Sequence, residues 1–160
     1  MTEQHPFFPQ MEYAFTIAIK LSGPPVRVQP SVTGQNRAII HITEGTITGP
    51  MLQGRVVPMS GADWAQIRPD GTLDFDARYT LELDDGTPVY MQNRGFRWGS
   101  PEVMAAQARR EPVPFDAYYM RVTPRFEVAA GPHEWLAKHV FVGVAEKLPE
   151  GNAIHYFVVR

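Results

Sequence analysis

The sequence contains no cysteine. That excludes a disulfide framework, a thiolate nucleophile and cysteine-ligated zinc or iron–sulfur centres. It also lacks any apolar run near the ~20 residues that a membrane-spanning helix needs. Met1 to Pro9 carries Glu3, His5 and two prolines where a signal peptide would be basic and then apolar, so the expected address is the cytoplasm. Neither sign of charge dominates: the formal net charge is -2, with acids and bases interspersed. Without a basic stripe to follow a phosphate backbone, nucleic acid is not an expected partner. Gly-x-Ser-x-Gly elbows, phosphate-binding loops and dinucleotide fingerprints are absent, which removes the usual support for serine hydrolases, nucleotidases and nicotinamide enzymes. No pair of histidines has His-x-His or i, i+4 spacing, so neither metal nor cofactor is expected.

What is present is alternation. Leu73, Phe75, Ala77, Tyr79, Leu81 and Leu83 alternate with Asp74, Asp76, Arg78, Thr80 and Glu82, the pattern of a strand with one apolar and one polar face. Asp84-Asp85-Gly86 suits a three-residue hairpin loop closed by a glycine in the left-handed region. That loop sets Leu81 against Val89 and Tyr79 against Met91, whereas a two-residue loop would set Tyr79 against Gln92 and mix the faces. Tyr13 to Leu21, Arg37 to Ile42, Thr46 to Pro58, Tyr118 to Val128 (broken at Pro124), Val140 to Val144 and Ile154 to Val158 supply further strands. Glu44-Gly45-Thr46 reads as a turn, one of three acid-Gly-Thr triplets taken as repeated turn chemistry. Ser100-Pro101-Glu102 opens a helix expected over 101–110, and His133 to His139 a turn that seats Trp135 and Leu136. With 44% apolar and 20% charged residues, the 160-residue chain suits one folded domain, 11–160, behind an N-terminal arm, 1–10. The fold class is mainly β, a closed antiparallel barrel with one short helix, because closure removes the long edges of strands 11–21 and 152–159.

Several stretches resemble the DUF3237, or UPF0311, family. They include Arg37-Ala-Ile-Ile-His-Ile-Thr43, Gly45-Thr-Ile-Thr-Gly-Pro50, Gly61-Ala-Asp-Trp64, Arg68-Pro-Asp-Gly71 and Ala77-Arg-Tyr79. The likeness continues through Asn93-Arg-Gly95, Gly99-Ser-Pro-Glu-Val103, Arg121, Pro124-Arg-Phe-Glu127, Trp135-Leu136 and Phe141-Val-Gly143, covering roughly residues 11–159. The resemblance implies a calycin-like barrel of roughly nine or ten antiparallel strands, a class that encloses small ligands. It implies no reaction.

Candidate chemistry rests on polar residues placed mid-strand. His41 stands in Ile39-Ile40-His41-Ile42, either as a histidine satisfied by one hydrogen bond or as a general base facing a lumen. Asp76, Arg78, Tyr90, Gln92 and Arg94 share the polar face of the central hairpin. If that face is solvent they are ordinary cross-strand pairs; if it lines the lumen, arginine beside tyrosine would bind a carboxylate, phenolate or enolate oxygen. The expectation adopted is the lumen, with His41, Arg78 and Tyr90 as the catalytic set. Asp63, Trp64, Asn93, Arg94, Tyr119, Arg121, Glu127 and Trp135 are the expected ligand-binding set. Asp63-Trp64 and Phe126-Glu127 place an acid beside a large aromatic ring, which can raise the acid's pKa or simply plug the core and cap a turn. The reading is a cofactor-independent enzyme acting by acid–base chemistry, of isomerase, cyclase or lyase type, on an aromatic or polyketide-like molecule. A lipocalin-like binding protein and a solidly packed assembly protein are the alternatives. The expected partner is a small-molecule ligand or substrate, with no membrane, and the composition is compatible with a homo-oligomer.

Overall fold

The computed structural model describes residues 5–160. Residues 1–4 of the expected arm lie outside the described residues; 5–10 are exposed and carry no strand or helix. Ten strands follow: β1 (Met11–Leu21), β2 (Val26–Val28), β3 (Asn36–Thr48), β4 (Gly54–Val56), β5 (Gly61–Ile67), β6 (Leu73–Leu83), β7 (Pro88–Gly99), β8 (Tyr118–Val128), β9 (Phe141–Leu148) and β10 (Gly151–Val159). One helix, α1 (Pro101–Ala108), separates β7 from β8. The pairings are antiparallel, and eight strands close a ring in the order β1, β10, β9, β8, β7, β6, β5, β3 and back to β1. β4 bridges β3 and β6, and β2 lies outside the ring on β3. The closed antiparallel barrel with one helix is therefore as the alternation predicts.

The central hairpin has the expected register. Leu81 faces Val89 and Tyr79 faces Met91, while Leu83 N–H donates to Thr87 carbonyl at 2.9 Å and Gly86 takes φ 86°. The apolar phase of both strands points inward, because only that face finds other apolar surface to pack on. Two expectations are corrected, and one strand goes beyond them. Glu44-Gly45-Thr46 is no turn but the middle of β3, where Gly45 lets β3 lie against Ala18 of β1 and Val56 of β4. β5, too short and too mixed to announce itself by alternation, completes the ring between β3 and β6. Pro124 does not break β8: that strand pairs with β9 only at Arg121 and Val122, so a residue without an N–H disrupts no ladder bond beyond them.

α1 begins as its sequence dictates. Ser100 Oγ accepts the Val103 N–H at 3.2 Å and Pro101 occupies the first turn. It ends two residues early, since Arg110 adopts φ 59° and Arg109 turns to Glu111, with bonds of 2.7 and 3.0 Å. A 3₁₀ turn at Glu134–Ala137 drops Leu136 into one end of the barrel. There Phe15, Phe126, Phe141 and Tyr156 form an aromatic cluster with centroids 5.1–6.1 Å apart, sealed by Leu52 and Leu136. No helix among the described residues is long and apolar enough to cross a membrane.

Candidate functional site

The other end of the barrel has a different interior. It is where β5 and β7 finish, β6 and β10 begin, and β9 runs out toward its turn. On the inward phase of these strands stand Asp63, Asn93, Arg97, Tyr118, Lys147 and Asn152, with Tyr79 and Tyr156 below them. Asp63, Asn93 and Asn152 are 8%, 3% and 8% exposed. Ile40, Ile67, Leu73, Arg97 and Lys147, further out, are only partly buried, so this end is less fully covered than the other. The strands that seal the far end with phenylalanine thus carry polar groups at the near end, on the same face.

Few of these groups satisfy one another. Asp63 Oδ1 accepts the Asp76 N–H at 2.9 Å, Asn93 Nδ2 donates to Tyr156 Oη at 3.0 Å, and Tyr118 Oη accepts the Lys147 N–H at 2.8 Å. Tyr79 Oη, Asn93 Oδ1, Arg97 Nε and Asn152 Oδ1 find no hydrogen-bond partner among the described residues. Neither do the two amide atoms of Gln107 on α1. Buried polar atoms are paired in the great majority of cases, so this concentration of unpartnered ones sets this end of the barrel apart.

Burial also resets the charges. Loss of solvent pushes the Asp63 carboxyl up to about 7, against the pull of its backbone hydrogen bond and of Arg97 and Lys147. Burial, helped by the positive charge of Arg97, brings the Lys147 ammonium down to about 8. The Arg97 guanidinium is also lowered by burial but keeps its proton. The Tyr79 and Tyr156 hydroxyls are pushed well above the usual phenol range by burial. They influence each other's ionisation without closing a hydrogen bond of good geometry. The site therefore holds a carboxyl and an amine that both exchange protons near neutrality, one fixed cation and two tyrosines locked as donors.

Of the expected residues, only Asp63 and Asn93 belong to this interior. Arg78, Tyr90 and Arg94 lie on the outer wall, because the polar phase of the hairpin faces solvent: Arg78 is 48% exposed and pairs with Asp76 at 3.1 Å. Arg94 reaches Asp74 at 3.6 Å. Arg121 and Tyr119 are also on the outside, the guanidinium lying over the Tyr119 ring, which stacks on Trp98. His41, Trp64 and Glu127 are exposed. Trp64 shares a strand with Asp63 but points the opposite way, so the raised carboxyl owes nothing to the indole. Trp135 packs against Phe141 at the sealed end. The expected common cavity of His41, Arg78, Tyr90 and Arg121 is not formed.

Alternation alone misses Arg97, Lys147, Tyr118, Asn152 and Gln107. A usable signal does exist: Asn93 and Arg97 continue the phase of Val89 and Met91, and Lys147 that of Phe141 and Ala145. A polar residue in the apolar phase is the mark, and four strands show it at the same end. Among the described residues no group of three His, Asp or Glu could hold a metal ion. Two surface clefts, of about 390 Å³ beside Arg68, Phe96 and Trp98 and about 480 Å³ beside Lys20, Glu44 and Pro149, are lined by none of the interior charged groups.

Comparison with known proteins places the chain. Residues 9–159 match the family described as protein of unknown function (DUF3237). A UPF0311 protein from Clostridium acetobutylicum is 34% identical over 148 residues, spanning 92% of this chain and 92% of its own. The crystal structure of a conserved protein of unknown function from Rhodopseudomonas palustris superposes with a TM-score of 0.87 at 34% identity, covering 95% of this chain and 97% of its own. That of an enzyme from Penicillium herquei gives 0.71 at 22% identity over 99% of both chains, a likeness of fold alone. The chain belongs to the DUF3237 family.

Proposed function

We propose that this member of the DUF3237 family is an acid–base enzyme that works on a small aromatic or polyketide-like molecule held at the polar end of its barrel. The observation that carries the reading is Asp63: a carboxyl 8% exposed, held by one backbone hydrogen bond, with a pKa of about 7. A group so poised can take a proton from carbon or oxygen and return it at neutral pH. Enolisation illustrates the step. Asp63 carboxylate removes a proton from the carbon beside a carbonyl, the electron pair moves to oxygen, and the unpartnered Tyr79 hydroxyl donates to the resulting oxyanion. Return of the proton elsewhere is isomerisation, attack of the enolate on a second carbonyl is cyclisation, and loss of a β-substituent is elimination. Each of these needs proton transfer and orientation alone. The fold is shared with an enzyme of Penicillium herquei, which adds the precedent of an enzyme on this barrel without naming a reaction.

The test follows hydrogen exchange. Aryl methyl ketones in D₂O are expected to lose methyl protons faster in the presence of the protein, as read by proton NMR. Asp63→Asn should slow that exchange at least tenfold, and the ¹³C-labelled Asp63 carboxyl should titrate near neutrality. An Asp63 that titrates as an ordinary carboxylate overturns the reading. Ketones that bind with no exchange would make the barrel a lipocalin-like binding protein.

A further inference from the structure

The interior charges do not balance. Arg97 and Lys147 face one carboxylate, Asp63, and no other acid lies on the inward phase near them. Neither cation closes an ion pair among the described residues, although exposed arginines and lysines elsewhere on the barrel do so repeatedly. Arg97 Nε is fully buried and unpartnered. A buried guanidinium nitrogen without a partner is unfavourable, so Arg97 Nε marks the position of an acceptor that is not part of the chain.

The geometry points to a specific substrate class: we infer that Arg97 and Lys147 bind the carboxylate of a small aromatic acid, with the rest of the molecule lying inward toward Tyr79 and Asn93. This rests on the acid–base reading of the same site and adds what the site selects. With Asp63 ionised, Arg97 and Lys147 leave one positive charge, to which Arg110 adds from beyond α1, so the site favours an anion. The guanidinium fork, its Nε unoccupied, matches the two oxygens of a carboxylate in one plane. Further in, Tyr79 Oη is a free donor, Asn93 Oδ1 and Asn152 Oδ1 are free acceptors, and Phe75 supplies ring surface. A ring bearing hydroxyl or carbonyl groups satisfies all of these at once. On α1, which follows β7 at this end, Gln107 also has both amide atoms unpartnered.

Matched probes test this. Benzoate, 4-hydroxybenzoate and 4-hydroxycinnamate are titrated against their methyl esters at neutral pH, with affinity read by calorimetry and by the rise in thermal midpoint. At least one acid is expected to bind tenfold or more tighter than its ester. Arg97→Met and Lys147→Met should each abolish that preference; both remove an unbalanced buried charge, and circular dichroism checks that the barrel persists. Arg97→Lys keeps the charge and loses the fork, and should recover only part of the preference. Esters that bind as well as acids, or no binding by any acid, overturn the assignment, as does a preference that survives in both methionine variants. The two readings fail separately. If Asp63 titrates near neutrality while acids bind no better than esters, the carboxylate assignment alone falls. If Asp63 titrates as an ordinary carboxylate, the acid–base reading falls whatever the acids do.

Discussion

A carboxyl that is hard to ionise leaves a signature in stability. The Asp63 pKa rises from 3.8 to about 7 on folding, so between those values the native state holds a proton that the unfolded state has released. Stability is therefore lost as pH rises through this window and levels off above it. At about 1.4 kcal/mol per pKa unit, the whole effect is on the order of 4 kcal/mol at most. Asp63→Asn, whose amide oxygen can still accept the Asp76 N–H, should flatten the slope between pH 4 and 7 and raise stability at pH 7, as measured by urea unfolding across pH. An unchanged slope would place the titration elsewhere. Lys147 acts oppositely and later: its lowered pKa makes stability rise with pH from about 8 toward its ordinary value of 10.5. At this scale the sequence was legible only in part. The acid-beside-a-ring pattern points to Asp63, yet it is desolvation by the barrel that raises its pKa, and the indole points away. Arg78 and Tyr90 were drawn inward by chemistry, when the alternation that carries them already assigns their face to solvent.

Elements were more legible than sites, because an eleven-residue alternation and a three-residue loop leave one register that segregates the faces. The start of α1 was equally plain from Ser100 and Pro101. What strand pattern does not carry is which strands come close, since that is decided by partners distant in sequence. Gly95 shows it. A β-carbon there would run into the Arg121 carbonyl and the Val122 Cα of β8, so β7 and β8 approach as they do only with glycine at this point. Gly95→Ala should cost roughly 3 kcal/mol or more, because the clash is with backbone that cannot rotate away. Gly71→Ala is the control: its φ of 86° is strained for alanine but nothing lies nearby, and the cost should be about 1–2 kcal/mol. Equal denaturant midpoints for the two variants would show that the sheet adjusts freely at Gly95.

Across the whole molecule the two ends of the barrel do different work: one is packed with aromatic rings and the other holds proton-exchanging groups. The packed end is tied on its outside by His133 Nε2 and Asp85 Oδ2, 2.7 Å apart, joining the tip of the central hairpin to the turn that carries Leu136. His133, and then Thr87, hold the Asp85 carboxyl down to about 2. Its contribution is therefore complete above the ordinary value of 3.8 and lost as pH falls toward 2. His133→Gln should make the fall in thermal midpoint between pH 4 and 2 shallower, and an identical acid limb would show that the tie contributes nothing. Ring closure carries a further consequence, one of timing. β1 lies between β3 and β10, and Thr16 meets His155 across 139 positions of sequence. Until β10 arrives, β1 and β9 are bare sheet edges, open to pairing with another chain, and contacts of such long range form slowly. β10 also brings Asn152 and Tyr156, so the strand that removes the last edges is the one that finishes the proton-exchanging interior. During synthesis, protection from aggregation and completion of the polar interior are reached in the same step.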